Sequence, residues 1–143
     1  MDWALEQART KHPVVSGFHS PLEQSVLKLL LQACSPVVAV LARPVSGARL
    51  PSDWTTHPNQ GCMAVVSVAT HAGRLTEDLA ARRNEWVALL ASQIVVAHAS
   101  PGSGLLLCAM AGALQGARFS ISARADGSQR SLFFCQDNET RFL

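Results

Sequence analysis

The stretch RRNEWVALLASQIVVAHASPGSGLLLCAMAGALQGARFSI, residues 82–121, decides how the rest of the chain is read. It divides into helix, buried strand, glycine-bearing turn, second helix and second strand. Trp86, Val87, Leu89 and Leu90 fall at helical spacing behind a polar helix start, Arg82-Arg83-Asn84. Residues 94–97 are an unbroken apolar run, the pattern of a strand covered on both faces. Ser100-Pro101-Gly102-Ser103-Gly104 then interrupts the chain and opens a helix. Small residues there let a ligand approach the backbone, and the free N–H groups of a helix start attract anions. Gly116 stands where a helix C-cap is expected, ahead of a strand over residues 118–122.

The same alternation extends toward the N-terminus. Residues 1–11 place Trp3, Leu5 and Ala8 near one side of a short helix, which Pro13 ends; Val14-Val15-Ser16 begins a strand. In Gly17-Phe18-His19-Ser20-Pro21-Leu22-Glu23, Ser20 suits an N-cap, Pro21 the first helical position, and Glu23 completes a capping box. The helix beyond it carries Val26, Leu27, Leu29 and Leu30 and ends near Cys34-Ser35. A second strand spans 37–42. Beyond Arg43-Pro44 the chain is irregular, with one helical turn near Pro51. A third strand spans 63–68, and Thr76-Glu77-Asp78 starts the helical stretch that leads to the arginine pair. After the turn signal Asp126-Gly127, Leu132-Phe133-Phe134-Cys135 reads as a hairpin return on the edge of the sheet.

Strands alternating with helices imply an α/β fold, a mostly parallel sheet with helices on both faces. Ligands in such sheets bind at the C-terminal ends of strands. Three polar turns fall at those ends: residues 17–20, Arg43 onward, and 99–104.

At 143 residues the chain is expected to form a single domain spanning 1–143, long enough to bury a core. It is 48% hydrophobic and 15% charged, yet its longest apolar stretch, 105–114, falls short of a membrane span, and no signal peptide is expected. Cys34, Cys62, Cys108 and Cys135 are scattered without a CxxC pair, which predicts free thiols in a reducing cytoplasm, Cys34 and Cys108 in the core. A net charge of +2 neither demands nor excludes a nucleic-acid partner.

Taken together, these segments resemble the Rossmann-like domain of the DNA-processing protein A (DprA/Smf) group, within the lysine-decarboxylase-like nucleotide-binding superfamily. The resemblance is carried by residues 16–23, by 36–38 through Ala42-Arg43, by Leu50-Pro51-Ser52-Asp53-Trp54, by 83–90, and by 95–103. It implies a Rossmann-like three-layer αβα sandwich. The family's usual first strand and its glycine-bearing loop have no counterpart before Val14, so the resemblance also implies a domain shortened at its N-terminus. It further implies a pocket for phosphate or nucleotide lined by Arg83, Asn84, Gly102, Ser103 and Gly104. Gly17, His19 and Ser20 match another rim loop, and Arg43 follows the next strand. Relatives that cleave nucleoside monophosphates carry a glutamate soon after a proline–glycine–glycine turn. Here Leu105-Leu106-Leu107-Cys108 follows the turn, which argues against hydrolysis.

No catalytic residue, metal or resident cofactor is therefore expected. The expected partners are a nucleotide or other phosphate-bearing small molecule, with single-stranded DNA a weaker expectation, no membrane, and a second copy of the chain. His98 defaults to a structural hydrogen bond; His12, His57 and His71 lack metal-ligand spacing. Trp54 and Trp86 read as packing residues. Two rival readings stay open. One is a hydrolase of nucleotide N-glycosidic bonds using Glu23 or Glu85, and the other a degenerate domain that serves as a dimerisation unit.

Overall fold

The computed structural model describes residues 2–46, 48–52, 54, 61–71, 76–98, 118–121 and 131–135, with 97–98 and the last two segments as backbone only. The described chain is mixed α/β. Helix α1 (Asp2–Thr10) buries Ala4, Gln7 and Ala8, one stripe at i, i+3, i+4 spacing. Strand β1 (Val14–Ser16) is buried throughout. Helix α2 (Pro21–Gln32) starts at the expected capping box and buries Val26, Leu27, Leu30 and Leu31. Then come β2 (Val37–Leu41), β3 (Met63–Ser67), α3 (Glu77–Leu90), β4 (Gln93–His98), β5 (Arg118–Ile121) and β6 (Ser131–Cys135). The turn near Pro51 forms as expected, the Trp54 N–H donating to the Pro51 carbonyl at 2.9 Å.

The sheet order is β3-β2-β1-β6-β4-β5. β1, β2 and β3 are parallel, with Val14 opposite Val37 and Val37 opposite Met63. Alternation sends neighbouring side chains to two different cores. Val14, Val37, Ala39 and Val95 join α1 and α2 in one cluster; Val15, Val40, Ile94 and Val96 join Val87 and Ala88 of α3 and its C-cap Ala91 in the other. Leu30, Val40, Ile94 and Val96 are fully sequestered, and each such side chain contributes roughly 1.5–3 kcal/mol relative to exposure.

Three expectations need correction. The C-terminal strand is no edge hairpin: β6 lies between β1 and β4, antiparallel to both, and β5 takes the edge beyond β4. Leu132-Phe133-Phe134 is apolar at consecutive positions, which suits a strand hydrogen-bonded along both sides better than an exposed edge. Secondly, the arginine pair does not start a helix. Thr76 is the N-cap of α3, accepting from the Leu79 N–H, so Arg83 and Asn84 lie in the helix interior. Outward from them Trp86 and Leu89 are 50% and 60% exposed, so Trp86 is not a packing residue.

Thirdly, Cys34 and Cys62 form a disulfide, and Cys34 is an exposed residue, not a core thiol. The parallel register that sets Val37 beside Met63 carries the preceding turns together, leaving the two Cα atoms 5.5 Å apart. A sequence separation of 28 hides that proximity. The inference of a reducing compartment from unpaired thiols therefore loses its premise. No helix among the described residues is long and apolar enough to cross a membrane. Gly116, Cys108 and the turn at Asp126-Gly127 lie outside the described residues.

Candidate anion-binding site

The polar residues of interest gather where β1 and β2 end. β1 closes on Ser16, and the chain turns through residues 17–20 into α2. Phe18 holds this turn in a left-handed conformation, φ 50°, costly for a non-glycine residue. Its compensation is burial: the ring is 2% exposed and meets Trp54 edge-on, with centroids 6.4 Å apart. With the turn so fixed, Gly17 faces α3.

Gly17 is the point of closest approach. A Cβ built on it would stand 3.0 Å from Arg83 Nε, 3.1 Å from Cδ and 3.2 Å from Cζ. A methyl group there would make the guanidinium give way by a few tenths of an ångström, so contact rather than backbone angle is what favours glycine. Arg83 reaches the turn because helical side chains lean toward the N-terminus of their helix. Asn84 orients it: Oδ1 accepts from Arg83 Nε at 3.2 Å and from Nη2 at 3.0 Å. No carboxylate forms an ion pair with Arg83 among the described residues. Burial pulls the Arg83 pKa below its usual value, opposed by the Glu23 carboxylate. It nonetheless remains a cation with unused N–H donors.

Glu23 is the counter-charge, and it is already committed. Its buried Oε1 accepts from Ser16 Oγ at 2.6 Å; Oε2 accepts from the His19 N–H at 3.0 Å and the Ser20 N–H at 2.8 Å. Ser20 Oγ in turn accepts from the Glu23 N–H at 3.2 Å. The first turn of α2 thus carries an anion of its own chain. The backbone donors of His19 and Ser20 are spent on the cap, in which the His19 imidazole takes no part.

His19 is exposed on the rim, but its imidazole pKa is lowered, first by desolvation and then by Arg83, with Arg43 adding and Glu23 opposing. The neutral ring is favoured and can donate or accept a hydrogen bond. Arg43 lies just past β2, its Nη2 donating to the Arg49 carbonyl at 3.4 Å and its own carbonyl receiving Ser67 Oγ at 2.7 Å. The structure thus brings Gly17, His19, Arg43, Arg83 and Asn84 to one rim, with Ser20 in the cap below. Gly102, Ser103 and Gly104, with Ser100 and Pro101, lie outside the described residues.

The participation of Ser16 is invisible to sequence reasoning; a serine at a strand end carries no mark of a partner seven residues on. Glu85, the other carboxylate a hydrolase would need, is exposed on the outer side of α3, two residues from Arg83 and so on a different face. No group of metal-ligating residues occurs among the described residues. A separate groove of about 230 Å³ runs along α2 beside Trp54, lined by Gln24, Leu27, Lys28, Leu31, Pro51 and Trp54, and includes none of the rim residues. A scan against protein-family models finds no match for the chain, and a search of curated proteins finds none either.

Proposed function

We propose that the protein is a Rossmann-like αβα domain that binds a phosphate-bearing ligand, a nucleotide above all, at the C-terminal ends of β1 and β2. The observation that carries this reading is Arg83, seated against Gly17 and oriented by Asn84, without a carboxylate in ion-pair contact among the described residues. Its planar fork fits phosphate. Arg43 adds a second cation on the same rim, and His19 a neutral imidazole beside both. The residues that resemble the DNA-processing protein A group support the same reading, since Arg83-Asn84 and the 17–20 turn are among them. Function as a binding module needs no group that changes covalent bonds, and the two carboxylates a hydrolase would call on are committed to the cap or turned outward.

The test is thermal unfolding with mononucleotides, cyclic nucleotides, pyrophosphate and short single-stranded DNA. A ligand at one hundred times its dissociation constant adds about 2.7 kcal/mol, a shift of several degrees for a chain of this size. Stabilisation by a phosphate compound supports the reading, and Arg83→Ala should remove it. No response to any phosphate compound overturns it. A response to DNA alone, with none to mononucleotides, would make the polymer the ligand.

A further inference from the structure

We propose that the outer face of α3 is a homodimer contact, in which a second copy of this chain lays its own α3 antiparallel across it. Trp86 and Leu89 stand within one turn of each other and are 50% and 60% exposed, while Val87 and Ala88 between them are buried. Scattered exposed apolar residues are ordinary on a protein surface; a tryptophan and a leucine adjoining on one helix face form a patch, and tryptophan is a favoured interface anchor.

The charges beside the patch say what covers it. Arg82 and Glu85 share this face, both exposed, and neither forms an ion pair within the chain among the described residues. A two-fold axis crossing α3 between Glu85 and Trp86 sets the two tryptophans against each other. It also sets each Leu89 opposite the stem of the partner's Arg82, and brings each Arg82 within a turn of the partner's Glu85. A face with a cation and an anion on one turn and a tryptophan and a leucine on the next is complementary to itself under such an axis, as an isologous contact requires: each charged turn lies over the partner's apolar turn, and the opposite charges of the two copies come within reach. The inner side of the same helix carries Arg83 and Asn84, so the contact would brace the element that presents the rim arginine.

Analytical ultracentrifugation over a concentration series provides the test, and no ligand is needed, so its outcome is independent of the phosphate reading. The wild type should sediment as a dimer at the upper concentrations. Trp86→Ala and Leu89→Asp should each weaken dimerisation by at least roughly 30-fold, the loss typical of an interface hot spot. Arg82→Glu and Glu85→Arg should each weaken it, and the double exchange R82E/E85R should restore it, a rescue that a general loss of folding cannot mimic. Circular dichroism on each variant confirms folding. A wild type that stays monomeric throughout overturns the proposal, as does a dimer indifferent to Trp86→Ala and to both charge reversals.

Discussion

The two ends of the parallel sheet are built on opposite terms. At the end where β2 and β3 begin, the polar features are closed. Cys34 is bonded to Cys62, Lys11 Nζ donates to the Ala33 carbonyl, and the Ser35 and Cys34 N–H groups return to Leu30 and Leu31 at 2.9 Å each. This is a Schellman turn with cysteine, at φ 51°, in the place glycine usually takes. At the end where β1 and β2 finish, Arg83 and Arg43 both bear on His19, and among the described residues the carboxylate beside them is that of Glu23, committed to the cap. One end holds the fold and the other carries excess positive charge. Stability and ligand response should therefore separate by mutation.

The largest effect is expected at the closed end. Reduction of the disulfide, or Cys62→Ser, should cost roughly 3.5 kcal/mol, the chain-entropy contribution of a loop this long. Chemical denaturation with and without reductant measures it. The stabilisation by pyrophosphate should be unchanged, because the bond lies at the opposite end from Arg83. A ligand response that vanished on reduction would break the separation.

Next comes Glu23→Ala, which removes an N-cap partner and leaves Ser16 Oγ and two backbone donors without this acceptor. A loss of roughly 2 kcal/mol is expected. Anion binding should persist or tighten, since the negative charge nearest Arg83 among the described residues is gone. Weakened binding in a variant shown to be folded would place Glu23 among the ligand's own partners.

A smaller effect distinguishes backbone conformation from covalent closure. Cys34→Ala and Cys34→Gly both lose the disulfide, but glycine accepts the left-handed turn and alanine does not. The glycine variant should be the more stable by about 1 kcal/mol. Equal stabilities would mean that the turn relaxes once the bond is gone.

The smallest effect is in pH. The folded state holds the His19 pKa below 6.5, through burial first and Arg83 second, so the folded protein favours the neutral ring. That contribution is fully present above the unfolded value and is lost as pH falls through the lowered folded one. Melting temperature should therefore drop on acidification from about pH 7.5 to about pH 5 more steeply in the wild type than in His19→Asn. A phosphate bound beside the ring favours the charged form. Binding should accordingly take up a proton and tighten over the same fall in pH.

Much of this arrangement is legible in the sequence where the signal is local. The capping box at Ser20 and Glu23 forms as its spacing predicts, because both partners lie within one helical turn. β1 to β4 fall where apolar runs are bounded by glycine, proline or polar residues. The features that escape depend on register between distant segments. The Cys34–Cys62 bond arises from β2 lying parallel to β3, and the central position of β6 from pairing with strands far from it in sequence. Of the two helix starts the sequence offers here, the one at Thr76-Glu77-Asp78 forms; the polar run Arg82-Arg83-Asn84, six residues on, does not begin a new helix and lies in the interior of α3. At the site, Gly17 and Arg83 each stand out in the sequence, but the contact between them needs α3 to lie across the end of β1, which no local pattern encodes.

The most direct test is a pyrophosphate titration followed by thermal unfolding in the wild type, Arg83→Ala and Gly17→Ala. The account predicts a melting temperature that climbs with ligand in the wild type, a flat response in Arg83→Ala, and a weakened one in Gly17→Ala, whose methyl group displaces the guanidinium. A full wild-type response in Arg83→Ala would contradict it and move any phosphate site away from the ends of β1 and β2.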